Sequence, residues 1–299
     1  MTTILRTPHD AEPAARAVAI GTFDGVHRGH HAVVEETLAS GLRPAVVTFD
    51  PHPRAVLGYD VQLLVPLERR LELLAELGPA EILVVEFTPE LARLSAEHFA
   101  ESVLHPFGAR LVVAGAGFRF GAGRRGDLEL LARLGFEVRP VSLVDAVSSS
   151  GIRELLRAGR VGEAAVLLGR PPEVEGPVVA GDQRGGTLGF PTANLAVEPR
   201  VLVPAFGIYA GLGRVLATGR NFRTAVSIGV NPHYGGVERR VEAFLLGFAG
   251  DLYGERLRIE LWERLRDERA FASETDLVAQ IARDVEAART AEPPDLEPR

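Results

Sequence analysis

The stretch "AVAIGTFDGVHRGHHAVVEETLA", Ala17 to Ala39, decides how the first half of this chain folds. "AVAIGTF" is a near-continuous apolar run and reads as a buried strand, and "HHAVVEETLA" reads as a helix. Between them, "GTFDGVHRGH" places His27 and His30 three apart around Gly29, at the helix start. A helix N-terminus with free backbone N–H groups is an anion site. Two imidazoles there can donate hydrogen bonds to a phosphate whose charge builds during transfer. Taken alone, a His near a helix start is more often an ordinary cap or core residue.

Working outward, "RPAVVTFD", "AEILVVEF", "ARLVVAGAG" and "FEVRPVSL" read as further strands. "PLERRLELLAELG", "SAEHFAESVL", "DLELLARLG" and "GIRELLRAG" read as helices. Apolar strands separated by helices predict an α/β, Rossmann-like, doubly wound domain with a parallel sheet covered on both faces. Its expected extent is residues 1–170. From Glu173 the runs become shorter and Gly-punctuated, without helices between them. That pattern predicts an antiparallel sheet or small β-barrel over residues 171–290, closed by a C-terminal helix. The helix begins at Ser273 with Asp276 three on, and spaces Leu277, Ile281 and Val285 by four on one face. Residues 291–299 are polar and Pro-rich and are expected to form a flexible tail.

Composition narrows the chemistry. There is no Cys among the 299 residues, which excludes disulfides and thiolate nucleophiles. No Lys occurs either, so all 33 basic residues are Arg. P-loop and Schiff-base lysines are therefore excluded. A net charge of -7 argues against a nucleic-acid partner. No apolar run approaches the ~20 residues of a membrane span, so no membrane partner is expected. The N-terminus carries no signal-peptide pattern, so a cytoplasmic protein is expected. The expected state is a monomer or weak homo-oligomer.

Further segments carry chemistry. "VSSSGIRELL" sets Ser148, Ser149 and Ser150 at a helix start with Arg153 in the first turn. Hydroxyls there can hold triphosphate oxygens, and an Arg fork can pair two of them. A plain Ser cap with a solvated Arg fits as well. "GFPTANL" offers Thr192 and Asn194 as hard oxygen ligands beside the rigid Pro191, or a plain loop.

Together, the H-x-G-H and S-S-S-G-I-R segments resemble the paired motifs of the nucleotidylyltransferase superfamily. "TFDPHPR", "FTPELARLSAEHFAESVL" and "GFRFGAGRRGD" resemble the FAD synthetase module of bacterial bifunctional riboflavin kinase/FAD synthetase. "VGEAAVLLGRPPEVEGPVVAGDQRGGTLGFPTANL" is similar to that family across its junction, and the resemblance covers nearly the whole chain. It implies a nucleotidylyltransferase domain followed by a riboflavin kinase barrel. The substrates implied are ATP, riboflavin and FMN, with Mg²⁺ accompanying ATP and flavins as substrates and products. His27 and His30 would contact the α-phosphate. Gly21, Phe23, Asp24 and Gly29 would shape the ATP-binding turn, and Ser149, Ser150 and Arg153 would bind phosphate oxygens. His52 would lie near the flavin or phosphate, although a loop His after Pro51 reads the same way. In the second half, Gly181, Asp182 and Gly185 would form the ATP loop, and Thr192 and Asn194 would hold Mg-ATP. Glu242 would be the catalytic base, or else an outward strand carboxylate between Val241 and Ala243. Arg266 and Phe271 would belong to the flavin-side loop.

Four positions depart from the family. Gly117 stands where Asn or Asp is usual, Ser150 where Thr is, His233 where Thr is, and Gly247 where Asp is common. Gly117 motivates an alternative in which only the kinase works well. The departures at Gly117, His233 and Gly247 also motivate a flavin-binding protein without turnover.

Overall fold

The computed structural model describes residues 1–142, 147–181, 184–231 and 238–296. The chain divides into two compact units, Met1–Ser149 and Ser150–Arg299.

The first unit is built on six strands. They are β1 (Thr3–Leu5), β2 (Arg16–Ile20), β3 (Arg43–Asp50), β4 (Glu81–Glu86), β5 (Ala109–Gly115) and β6 (Glu137–Val141). All pairings are parallel, in the order β1-β4-β3-β2-β5-β6. Among the described residues six α-helices accompany them: α1 (Arg28–Leu38), α2 (Pro53–Val56), α3 (Leu67–Glu76), α4 (Pro89–Arg93), α5 (Ala96–Phe99) and α6 (Leu128–Arg133). Val18, Val47, Leu83 and Val112 enter one core cluster, while their neighbours Ala19, Val46, Ile82 and Val113 enter the other. Both faces of the sheet are therefore buried, which is why these strands are apolar at successive positions. β1 was not anticipated. It is a three-residue edge strand, too short to show a period.

Charge is buried at the N-terminal edge of the sheet. Glu81, at the start of β4, pairs with Arg16 of β2 at 2.6 Å and with Arg43 of β3 at 3.1 Å. Arg16 also donates to the carbonyls of Phe107 and Glu12. Burial pushes the Glu81 carboxyl up, but the Arg16 hydrogen bond and charge, with help from Arg43, hold it below its ordinary value of 4.5. A depressed carboxylate contributes stability above its unfolded pKa and loses it as pH falls through the folded value. Glu81→Gln leaves a buried guanidinium without its counter-charge, which typically costs about 3–5 kcal/mol. In denaturant titrations the first unit of Glu81→Gln is expected to unfold earlier at pH 7. The gap to the wild type should narrow below pH 4.5.

The second unit starts within α7 (Ser149–Arg157) and continues with α8 (Val161–Leu168). Then come β7 (Glu173–Val179), α9 (Arg184–Thr187), β8 (Ala193–Leu195), β9 (Gly207–Val215), β10 (Asn221–Asn231), β11 (Glu238–Leu245), β12 (Arg256–Arg266) and α10 (Glu274–Thr290). The strands close into an antiparallel barrel, β10-β11-β8-β7-β12-β9. The division falls earlier than residue 170 because α7 and α8 pack with the barrel. The Ala205 amide donates to the Leu156 carbonyl at 3.0 Å, and α8 lies against β12.

α10 is capped as its sequence predicts, with the Ser273 side chain accepting from the Asp276 amide. Its buried face differs from the expected one. Val285 is buried, Leu277 and Ile281 only partly so, and Ala288 carries the contact with Ala210. Small residues let the helix approach closely. The stretch expected to be loose from residue 291 is anchored where it begins, because Arg223 donates to the Ala291 carbonyl and pairs with Glu292.

Candidate active sites

In parallel α/β sheets, ligands bind beyond the carboxyl ends of the strands. β2 and β3 are neighbours, so the residues that follow them emerge side by side. After β2 comes the turn Gly21–His27, and after β3 comes Asp50-Pro51-His52.

The turn is tightly determined. Phe23 has φ 51° and Val26 φ 39°. A left-handed conformation is costly for an aromatic and unusual for a β-branched residue, and such strain concentrates at functional sites. Gly25 has φ 82°, and a Cβ there would run into Leu64. The buried Asp24 carboxylate accepts from the Leu64 amide at 2.9 Å, tying the turn to the segment before α3. His31 bonds the Val26 carbonyl at 3.1 Å.

α1 starts at Arg28, earlier than its sequence suggests, with His27 as the cap residue. The two imidazoles stack, with centroids 3.6 Å apart and planes 15° off parallel. His30 Nδ1 accepts from the His27 amide at 3.3 Å. In the neutral ring, that places the proton on Nε2 and makes it a donor. Phe23 packs its ring edge-on to His30, 5.1 Å away. Gly29 is buried in the first turn, where backbone N–H groups lack helical partners. The cap residue and the first-turn amides therefore lie together at the start of α1.

Ser149 joins this group, its hydroxyl donating to the Asp24 carbonyl at 2.9 Å. Ser150 follows on the same helix and is exposed, while Arg153 is buried. His52 is buried, and its Nδ1 accepts from the Arg54 amide at 3.2 Å, capping α2. A cap role is therefore shown for His52, and a flavin contact is not. Gly21 donates its amide to the Val47 carbonyl. Gly117 is exposed, a Cβ there would meet nothing within 4 Å, and no left-handed φ demands glycine. Nothing in the structure explains the absence of a side chain at that position.

One residue of this site escaped the sequence reading. Arg70 of α3 is buried, with its guanidinium on the Thr22 and Phe49 carbonyls, each at 3.0 Å. A signal was present. Leu67, Arg70, Leu74 and Leu77 follow a 3-4-3 spacing, which puts this Arg on the apolar stripe of its helix.

The barrel holds a second constellation. The segment after Pro191 is no plain loop: Ala193–Leu195 is the strand β8, paired antiparallel to β11, with Asn194 directly opposite Glu242. Val241, Ala243, Ala193 and Leu195 are buried, so Asn194 and Glu242 share the other face. Glu242 alternates outward between the buried Val241 and Ala243 and is itself half-buried. Phe190, from the loop before β8, packs edge-on to Phe244 at 5.6 Å. Thr192 donates its hydroxyl to Glu242 Oε2 at 3.3 Å, and Arg240 approaches Oε1 at 3.9 Å.

Gly181 lies against Asn194, since a Cβ there would overlap the side-chain amide, and Gly185 lies equally close to the Phe190 carbonyl. Displacing a positioned group by about 1 Å can cost roughly 10²-fold in rate. Gly181→Ala is therefore expected to slow a barrel reaction by about that factor and leave any chemistry of the first unit untouched. Rates of the two product-forming steps, followed chromatographically, test it. Asp182 and His233 lie outside the described residues.

Arg266 is engaged rather than available. It makes a bidentate pair with the buried Asp284 of α10, Nη2 to Oδ2 at 2.6 Å, and lies over the Phe271 ring at 5.9 Å. The loop after β12 is thereby strapped to the helix. Glu268 of that loop reaches the Gly229 backbone. Partial burial raises its carboxyl above the usual range, Arg266 opposes this, and Glu242 adds to it.

Thr192, Asn194 and Glu242 present hard oxygen atoms, a donor set suited to Mg²⁺. Among the described residues there is no cluster of three His, Cys, Asp or Glu side chains able to hold a metal. Nor, among them, is any helix long and apolar enough to cross a membrane.

Comparison with known proteins matches both halves in order. The FAD synthetase family model covers residues 9–153, and the riboflavin kinase model covers 168–291. A bifunctional riboflavin kinase/FMN adenylyltransferase of Listeria monocytogenes is 36% identical, over 92% of this chain and 91% of that protein. The Escherichia coli K12 protein of the same description is 35% identical, over 96% of each. A solved structure described as a macrolide-efflux protein from Streptococcus pneumoniae superimposes with a TM-score of 0.88 at 30% identity. It covers 97% of this chain and 99% of that one. Two separate constellations on two folds, matched end to end by relatives carrying both modules, have one consistent reading: this chain belongs to the bifunctional riboflavin kinase/FMN adenylyltransferase family.

Proposed function

We propose that the chain converts riboflavin and ATP to FMN at the barrel site, and FMN and ATP to FAD at the sheet site. The observation that carries this is the separation of the two constellations. Thr192, Asn194 and Glu242 gather on the barrel. Asp24, His27, His30 and Ser149 gather beyond β2.

At the barrel, Glu242 accepts the proton of the riboflavin 5′-hydroxyl as its oxygen attacks the γ-phosphorus of ATP, and ADP leaves. A base within hydrogen-bond reach contributes typically 10²–10⁴-fold. Thr192 and Asn194 would hold Mg²⁺ with ATP, and Gly181, Asp182 and Gly185 would carry the phosphates on backbone N–H groups. The ion, when bound, supplies charge neutralisation on the phosphates. Arg266 acts through its Asp284 pair, holding the loop that bears Phe271 for the flavin.

At the sheet, the FMN phosphate attacks the α-phosphorus of ATP in line, and pyrophosphate leaves without a covalent enzyme intermediate. His30 Nε2–H and His27 stabilise charge on the α-phosphate, and the first-turn amides beside Gly29 add to this. Ser149, Ser150 and Arg153 hold the outgoing phosphates. Gly21, Phe23 and Asp24 maintain the turn, and His52 orders the segment nearest the flavin.

The test is product analysis. Purified protein incubated with riboflavin and Mg-ATP is expected to yield FMN first and FAD after it. Absence of both products would refute the reading.

A further inference from the structure

Arg70 stands out among the buried groups that the chemistry above does not use. Its side chain joins two segments that reach the sheet site by different routes. Nη1 donates to the Thr22 carbonyl at 3.0 Å, in the turn after β2. Nη2 donates to the Phe49 carbonyl at 3.0 Å and faces the Asp50 carboxylate at 3.4 Å, at the end of β3 before His52. The Thr22 carbonyl has a second donor, the buried Thr48 hydroxyl of β3, at 3.1 Å. Two donors on one carbonyl oxygen hold that peptide plane from two directions. The plane leads directly into Phe23, whose φ of 51° the chain would not adopt without support. The Phe23 ring then packs against the His30 imidazole.

Burying a guanidinium is costly, and a structural tie between two loops does not require one. Among the described residues, the buried Arg70 Nε has no hydrogen-bond partner. Burial lowers its proton affinity, against the opposing charges of Asp24, Asp50 and Glu68.

We propose that Arg70 is a positioning residue for adenylyl transfer. It fixes the Thr22–Phe23 peptide, and through Phe23 the angle at which His30 meets the α-phosphate. This rests on the reading of His30 as a phosphate ligand. Lysine keeps the charge but cannot fork to two carbonyls.

The experiment compares wild type with Arg70→Lys, Thr48→Val and the double variant. It measures FAD formation from supplied FMN, FMN formation from riboflavin, and thermal unfolding. Arg70→Lys is expected to lose about 10²-fold in kcat for FAD formation, with KM for ATP changed less than about threefold. Riboflavin phosphorylation should be unchanged. Thr48→Val should lose less, in the same direction, and the double variant should lose less than the product of the two. The His30 imidazole proton resonance, assigned by its absence in His30→Ala, should shift in Arg70→Lys. An unchanged kcat per folded molecule, an unshifted imidazole, or independent multiplicative losses would overturn the proposal. If Arg70→Lys does not fold, Thr48→Val decides alone: full activity with an unshifted imidazole would overturn it. His30→Ala keeps the two readings apart. Full FAD formation in that variant removes the phosphate role, whatever Arg70 does.

Discussion

Replacing His30 with alanine is expected to lower FAD formation from FMN and ATP by about 10²–10³-fold, the typical loss on removing one preorganised donor from a charge-stabilising site. Several observations make His30 the more exposed test of the pair. It is only half-buried, its Nδ1 is occupied by the His27 amide, and its neutral form therefore donates from Nε2. The substitution also removes the acceptor of the His27 amide at the start of α1, and losing one such capping bond costs about 1 kcal/mol. That is small beside the stability of a domain, so the protein should remain folded. Riboflavin phosphorylation in the same preparation is the internal control. Initial rates of the two steps, measured separately by supplying riboflavin or FMN, give the comparison. An equal loss in both would mean that the variant damaged the chain as a whole.

The converse substitution is Glu242→Gln. It keeps shape and removes the proton acceptor. FMN formation should fall by about 10²–10⁴-fold, the range for general base catalysis. FAD formation from supplied FMN should continue at the wild-type rate. The amide can still accept from Thr192, whose hydroxyl lies 3.3 Å from Oε2, so local order should survive. Retained FMN formation would remove Glu242 from the base role. Parallel loss of both activities would show that the two constellations do not act independently.

Much of this was legible in the chain itself. β2, β3, β4 and β5 announce themselves because their central residues are buried on both sides and apolar at successive positions. The capping pair at α10 and the Gly-punctuated second half were equally readable. The misses share one physical cause. β1 and β8 are three residues long, and their pairing is decided by strands distant in sequence. Asn194 sits in a strand because β11 and β7 lie on either side of it. The early end of the first unit escaped notice because α7 and α8 continue a helical pattern, and only their packing against the barrel assigns them. That Arg266 is held by Asp284, 18 residues on, is a contact no local pattern announces.

Sequence alone determined the parallel sheet, the barrel class, the position of the turn after β2 and the residue types available for chemistry. Those are properties of local pattern: burial period, turn chemistry and helix ends act over a few residues. Tertiary structure alone decided which of those residues meet. Asp24 reaches Leu64, Ser149 reaches Asp24, Asn194 faces Glu242, and Arg70 joins Thr22 to Phe49. Contacts of that range depend on how strands are ordered and how peptide planes turn. No local pattern specifies either, because each partner's environment is supplied by a segment the other does not adjoin.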